Sequence, residues 1–129
     1  MDEKPLREMR EEWPKSWMGV RADLEVGRRL VEAFVPFAEF LHQRGYAKST
    51  LRRHVDNLWL LGGELVKRAS VEPSLRGLPA RTLIEKYVGG EGGPLLGPYE
   101  TESEQRSLDA TCRKLWKFMV LQAKPPEEA

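Results

Sequence analysis

The chain has 129 residues, 40% apolar and 32% charged, with a formal net charge of +1. That length suits one domain burying about two thirds of its unfolded surface, and so small a net charge neither demands nor excludes a polyanionic partner. No apolar run approaches the roughly 18 residues of a membrane span, the charged opening MDEKPLREMREEW lacks a signal-peptide core, and the lone Cys112 excludes an internal disulfide, so a reducing cytoplasm is the expected compartment.

In chain order, Leu6, Met9 and Trp13 suggest a short first helix, which Pro14 should end at Trp13. Trp13 and Trp17 bracket a polar segment, and the expectation is that they lie across the core as a lid. Asp23 is placed to cap a main helix. Its apolar face runs through Gly27, Leu30, Val31, Phe34, Ala38 and Leu41, widened by Val35, Phe37 and Phe40. Pro36 should kink or restart it, and Gly45 should end it in the left-handed conformation.

A second long helix is expected from Ser49 or Thr50, either serving as cap. Leu51, Val55, Leu58, Trp59, Gly62, Leu65, Val66 and Ala69 form one side, and Arg52, Arg53, Asp56, Asn57, Glu64 and Lys67 the other. Gly62 lies on the apolar side, where close helix approach would explain it, whereas Gly63 suggests a bend. A loop over 71–79 leads to a short helix, Ala80 to Val88, and Gly89-Gly90 opens the irregular connection GGEGGPLLGP. Thr101-Glu102-Ser103-Glu104 forms a capping box for a last helix. Leu108, Thr111, Cys112, Leu115, Phe118 and Met119 make its apolar face, while Arg106, Arg113 and Lys117 share another face with Lys114 and Trp116 beside them. Lys124-Pro125-Pro126 stops it. No segment alternates as a strand does.

The expected fold is an all-α, compact, orthogonal bundle of four to five helices. An N-terminal segment over 1–22 packs on a single helical domain over 23–122, and 123–129 form a tail.

This plan resembles the N-terminal, SAM-like core-binding domain of tyrosine recombinases (phage integrases). The likeness rests on FAEFLHQRGYAKSTLRRHVDNL (Phe37 to Leu58), LIEKYV (Leu83 to Val88) and SLDATCRKLWKFMV (Ser107 to Val120), within about Val26 to Gln122. In that family the domain clamps DNA beside a catalytic domain, through basic residues of its second and fourth helices. By position the resemblance implies Lys48, Arg52 and Arg53, then Arg106, Arg113 and Lys117. Ser49, Thr50 and Asn57 could add neutral hydrogen bonds to phosphates. The family's arginine–lysine–histidine–arginine set and tyrosine nucleophile have no match: no His-x-x-Arg occurs, and Tyr46, Tyr87 and Tyr99 lack such company. The expectation is therefore a non-catalytic, stand-alone module that binds double-stranded DNA through its backbone, an accessory or remnant of a mobile element's recombination system.

The alternative is a helical protein–protein interaction module of the same fold, presenting Trp13, Trp17, Leu60 and Leu61. Other chemistry finds little support. GGEGGP lacks the lysine and serine or threonine of a phosphate loop. His42, His54 and Cys112 are too scattered for a metal site, and Cys112 falls on an apolar face, as a core residue does. No cofactor is implied. Trp59, Trp116, Phe34, Phe40 and Phe118 are assigned to the core or its border.

Overall fold

The computed structural model describes residues 3–97 and 100–123. Five α-helices follow in order: α1 (Glu3–Trp17), α2 (Asp23–Gln43), α3 (Lys48–Val71), α4 (Ala80–Tyr87) and α5 (Glu102–Ala123), with a 3-10 turn, Pro73–Gly77, between α3 and α4. Among the described residues there is no strand, only one antiparallel bridge between Gly89 and Gly92. The all-α bundle is as expected. No helix is long and apolar enough to cross a membrane among these residues. Tyr99, the Lys124-Pro125-Pro126 stop and the tail lie outside them.

The apolar stripe of α2 forms the centre of the bundle. Leu30, Phe34, Phe37, Ala38 and Leu41 are fully enclosed, because α1, α3 and α4 all pack on this helix. Leu58, Leu61 and Leu65 of α3 and Leu108, Cys112 and Leu115 of α5 complete the same core. Pro36 does not interrupt α2: it sits on the exposed side, where its missing N–H leaves no buried acceptor unpaired. Gly45 ends the α2 region at φ 76°, as expected of a left-handed terminator.

Several local expectations are corrected. α1 continues through Pro14 to Trp17, since burial of Pro14 against Gly27 of α2 supports the last turn. Asp23 does not cap α2 in the ordinary sense. It lies inside the first turn, and its Oδ2 accepts the amides of Gly19 (2.9 Å) and Val20 (3.0 Å), closing the preceding turn. Burial raises its carboxyl, but those two amides and the Arg76 guanidinium (3.3 Å) outweigh that and hold it below the usual carboxylate range. Neither Ser49 nor Thr50 caps α3, which begins at Lys48 after Ala47 with no side-chain cap. At α5 the Thr101 hydroxyl does accept the Glu104 amide (3.0 Å), and a hydrogen-bonding interaction with Glu104, then the like charge of that carboxyl, raise the Glu100 carboxyl above its usual range.

The two glycines of α3 have one cause. The Trp17 indole lies over both: a Cβ on Gly62 would come within 3.0 Å of Trp17 Cε2, and one on Gly63 within 3.2 Å of Cδ1. The indole N–H donates to the Trp59 carbonyl (3.0 Å), and the Trp59 indole N–H donates to Ser16 Oγ (2.9 Å). Gly63 is therefore part of the same close approach and need not mark a bend. Trp17 is the expected lid.

Candidate nucleic-acid interface

Helices α3 and α5 are joined by a buried polar cluster. Asn57 Nδ2 donates to the Ser107 carbonyl (3.0 Å), with Ser107 Oγ (3.0 Å) and Thr111 Oγ1 (2.9 Å) also in range. His54 Nδ1 lies 2.7 Å from Thr111 Oγ1. These groups stand one turn apart on each helix, so they set the register of α5 against α3. His54 is only 3% exposed and Asn57 5%. Burial first, then the nearby charges of Lys114 and Arg53, hold the His54 imidazole below its usual range. A neutral ring satisfies the contact with Thr111 in either tautomer.

This register determines which cations meet. Lys114, three residues beyond Thr111, places its Nζ 5.5 Å from the centre of the Tyr46 ring, which in turn packs 5.7 Å from His54. Lys114 and Lys117 then face Arg44 across a groove of about 260 Å³ floored by Phe40, Tyr46 and Phe118. On their other side, the same two lysines, Arg113 and Trp116 line an open groove of about 450 Å³ beside Gly90. Arg113 is steadied there by donating to the Glu91 carbonyl (3.3 Å). No acidic side chain lines either groove. Among the described residues, the arginines paired with carboxylates are Arg10, Arg29, Arg68, Arg76, Arg81 and Arg106; Arg44, Arg53, Arg113, Lys114 and Lys117 are not so paired.

The set expected from sequence is therefore divided. Arg113 and Lys117 line the α5 grooves, while Arg53 lines neither, though its charge and that of Lys114 both act on His54. Lys48 and Arg52 instead line a separate groove of about 430 Å³ between α1 and α3, in company with Glu8 and Asp56. Arg106 sits near the start of α5, 3.8 Å from Glu102. Ser49 is exposed and Thr50 half-buried in the first turn of α3. Asn57 is corrected outright: it is buried, and its amide is committed to Ser107 and Thr111, so no donor is left for a phosphate. Its place on the polar side of α3 looked exposed in sequence, but α5 covers that side.

The hydrophobic assignments shift as well. Leu61 is fully buried, Trp17 is half-buried over the glycines, and of the proposed protein-facing set only Trp13 and Leu60 line surface grooves. Trp59 and Trp116, assigned to the core or its border, are 41% and 37% exposed and so lie at the border. Cys112 is core, as expected; burial, then Asp109, push its thiol up to about 12, so it stays protonated and unreactive. No cluster of His, Cys, Asp or Glu among the described residues is arranged to hold a metal.

Arg44 and Lys114, which line these grooves, are not among the residues expected from sequence to contact DNA. The signal available was the placement of Arg44 at the C-terminal end of α2 and of Lys114 within one turn of Thr111. Comparison with protein-family models, curated proteins and solved structures gave no match.

Proposed function

We propose that this protein is a non-catalytic helical module that binds double-stranded DNA through phosphate contacts, with α5 as its principal contact helix. The supporting observation is the pair of adjoining grooves that share Lys114 and Lys117 and contain no carboxylate. Arg44, Arg53, Arg113, Lys114 and Lys117 are the phosphate ligands in this reading, and Ser49 an auxiliary one. Polyanion binding gains most where cations are unpaired, because no internal carboxylate must first be displaced. Lys48 and Arg52 contribute little, since Glu8 and Asp56 share their groove.

The resemblance to the core-binding domain of tyrosine recombinases supports DNA as the polyanion, a cytoplasmic location, and a role as accessory or remnant of a recombination system. It also supports the SAM-like form of the bundle. The test is binding to a labelled duplex at low salt. The K114A/K117A variant should lose affinity by at least tenfold while K48A/R52A stays within a few-fold of the parent. The reverse ranking, or no binding by the parent, overturns the proposal.

A second reading is a protein-interaction module. It is favoured by the groove between α1 and α3, where Trp13, Leu51 and Val55 present apolar surface. Under that reading W13A abolishes partner binding and K114A/K117A leaves it intact.

A further inference from the structure

Trp116 is an exposed aromatic side chain among the cations of α5, in the groove on the side away from Phe40, Tyr46 and Phe118. Arg113, three residues before it, is its neighbour one turn away on the helix surface, and Lys114 and Lys117 border the same groove. Its six-membered ring rests beside Gly90, where a Cβ would stand 3.5 Å from Cζ3 and 3.7 Å from Cε3. A Cβ there would make only ordinary van der Waals contact, so the ring packs beside this segment without needing a glycine.

Trp59, the other exposed tryptophan, differs on both counts. Its N–H is bonded to Ser16, and its groove contains Asp56 and no cation. At 37% exposed, the Trp116 indole has surface available to a partner. Arginine and two lysines around it select a partner that carries negative charge beside a flat apolar face. An unpaired nucleotide has that combination: a base to stack, flanked by phosphates to neutralise.

We infer that Trp116 is a stacking platform for an unpaired base, held by Arg113, Lys114 and Lys117 through the adjacent phosphates, so that the protein prefers nucleic acid with a single-stranded interruption over continuous duplex. This deepens the DNA-binding reading and rests on it. Within an intact helix the bases are stacked on one another and show only their edges in the grooves, so the platform is satisfied only where a base is free.

The test compares two labelled probes, a blunt duplex and the same duplex carrying a short single-stranded gap, with the parent protein, W116A, W116F and K114A/K117A. The parent should bind the gapped probe about tenfold more tightly, the range expected of one stacked base. W116A should lose that preference while keeping its affinity for the blunt duplex, and W116F should retain most of it. K114A/K117A should weaken both probes together. Equal binding of the two probes by the parent, or a preference that survives W116A, overturns the stacking site while leaving duplex binding standing. Failure of the parent to bind either probe overturns both.

Discussion

Gly62 and Gly63 each cost a helix about 1 kcal/mol relative to alanine, yet here they lie under the Trp17 ring, where a methyl group has no room. G62A should therefore destabilise the protein by about 1–3 kcal/mol despite its better helix propensity. In a W17A background the same change should become neutral or stabilising, and urea midpoints of the four proteins check this. His54 offers a second test. Its folded pKa lies below the unfolded value of about 6.5, so in the window beneath that value the unfolded chain binds the extra proton. Stability is then fully present above about pH 6.5, declines as pH falls toward the folded pKa, and levels off beneath it. H54Q should flatten that slope in urea unfolding followed from about pH 8 to 5. Asn57 acts mainly through hydrogen bonding: N57A should cost about 1–3 kcal/mol, since buried Thr111 and half-buried Ser107 lose their donor.

At the scale of elements, periodicity identified the helices well and their surroundings poorly. The stripes of α2 and α5 were legible because apolar residues at three- and four-residue steps leave few choices of buried face. What failed was anything decided by a second helix. Pro14 reads as a terminator until its burial against Gly27 is known. Gly63 and Asn57 look unexplained or solvent-facing until Trp17 and α5 are laid over them. Trp59 and Trp116 match core spacing on their own helices but fall at the edges of the packed area. The site followed the same rule. Arg53, Arg113 and Lys117 came from the resemblance, whereas Arg44 and Lys114 become partners only because the Asn57–Ser107 and His54–Thr111 contacts fix how α5 lies on α3. Loosening that junction should therefore weaken binding without removing a cation. T111V should lower DNA affinity several-fold at a pH and temperature where circular dichroism shows the helices intact, and unchanged affinity would separate the register from the site.

Over the whole molecule the net charge is only +1, so any phosphate affinity has to come from a local arrangement. The two grooves of α5 supply one, since Arg44, Arg113, Lys114 and Lys117 line them without a carboxylate. The central claim is that these grooves neutralise phosphates, and counterion release measures it directly. Duplex affinity should be followed from about 50 to 200 mM salt for the parent and for K114A/K117A. A plot of log K against log salt falls with a slope of about −0.9 per phosphate neutralised. The account predicts a steep parent slope that becomes shallower by about two units in the double variant. A parent affinity that does not change with salt, or the same slope in both proteins, would contradict it.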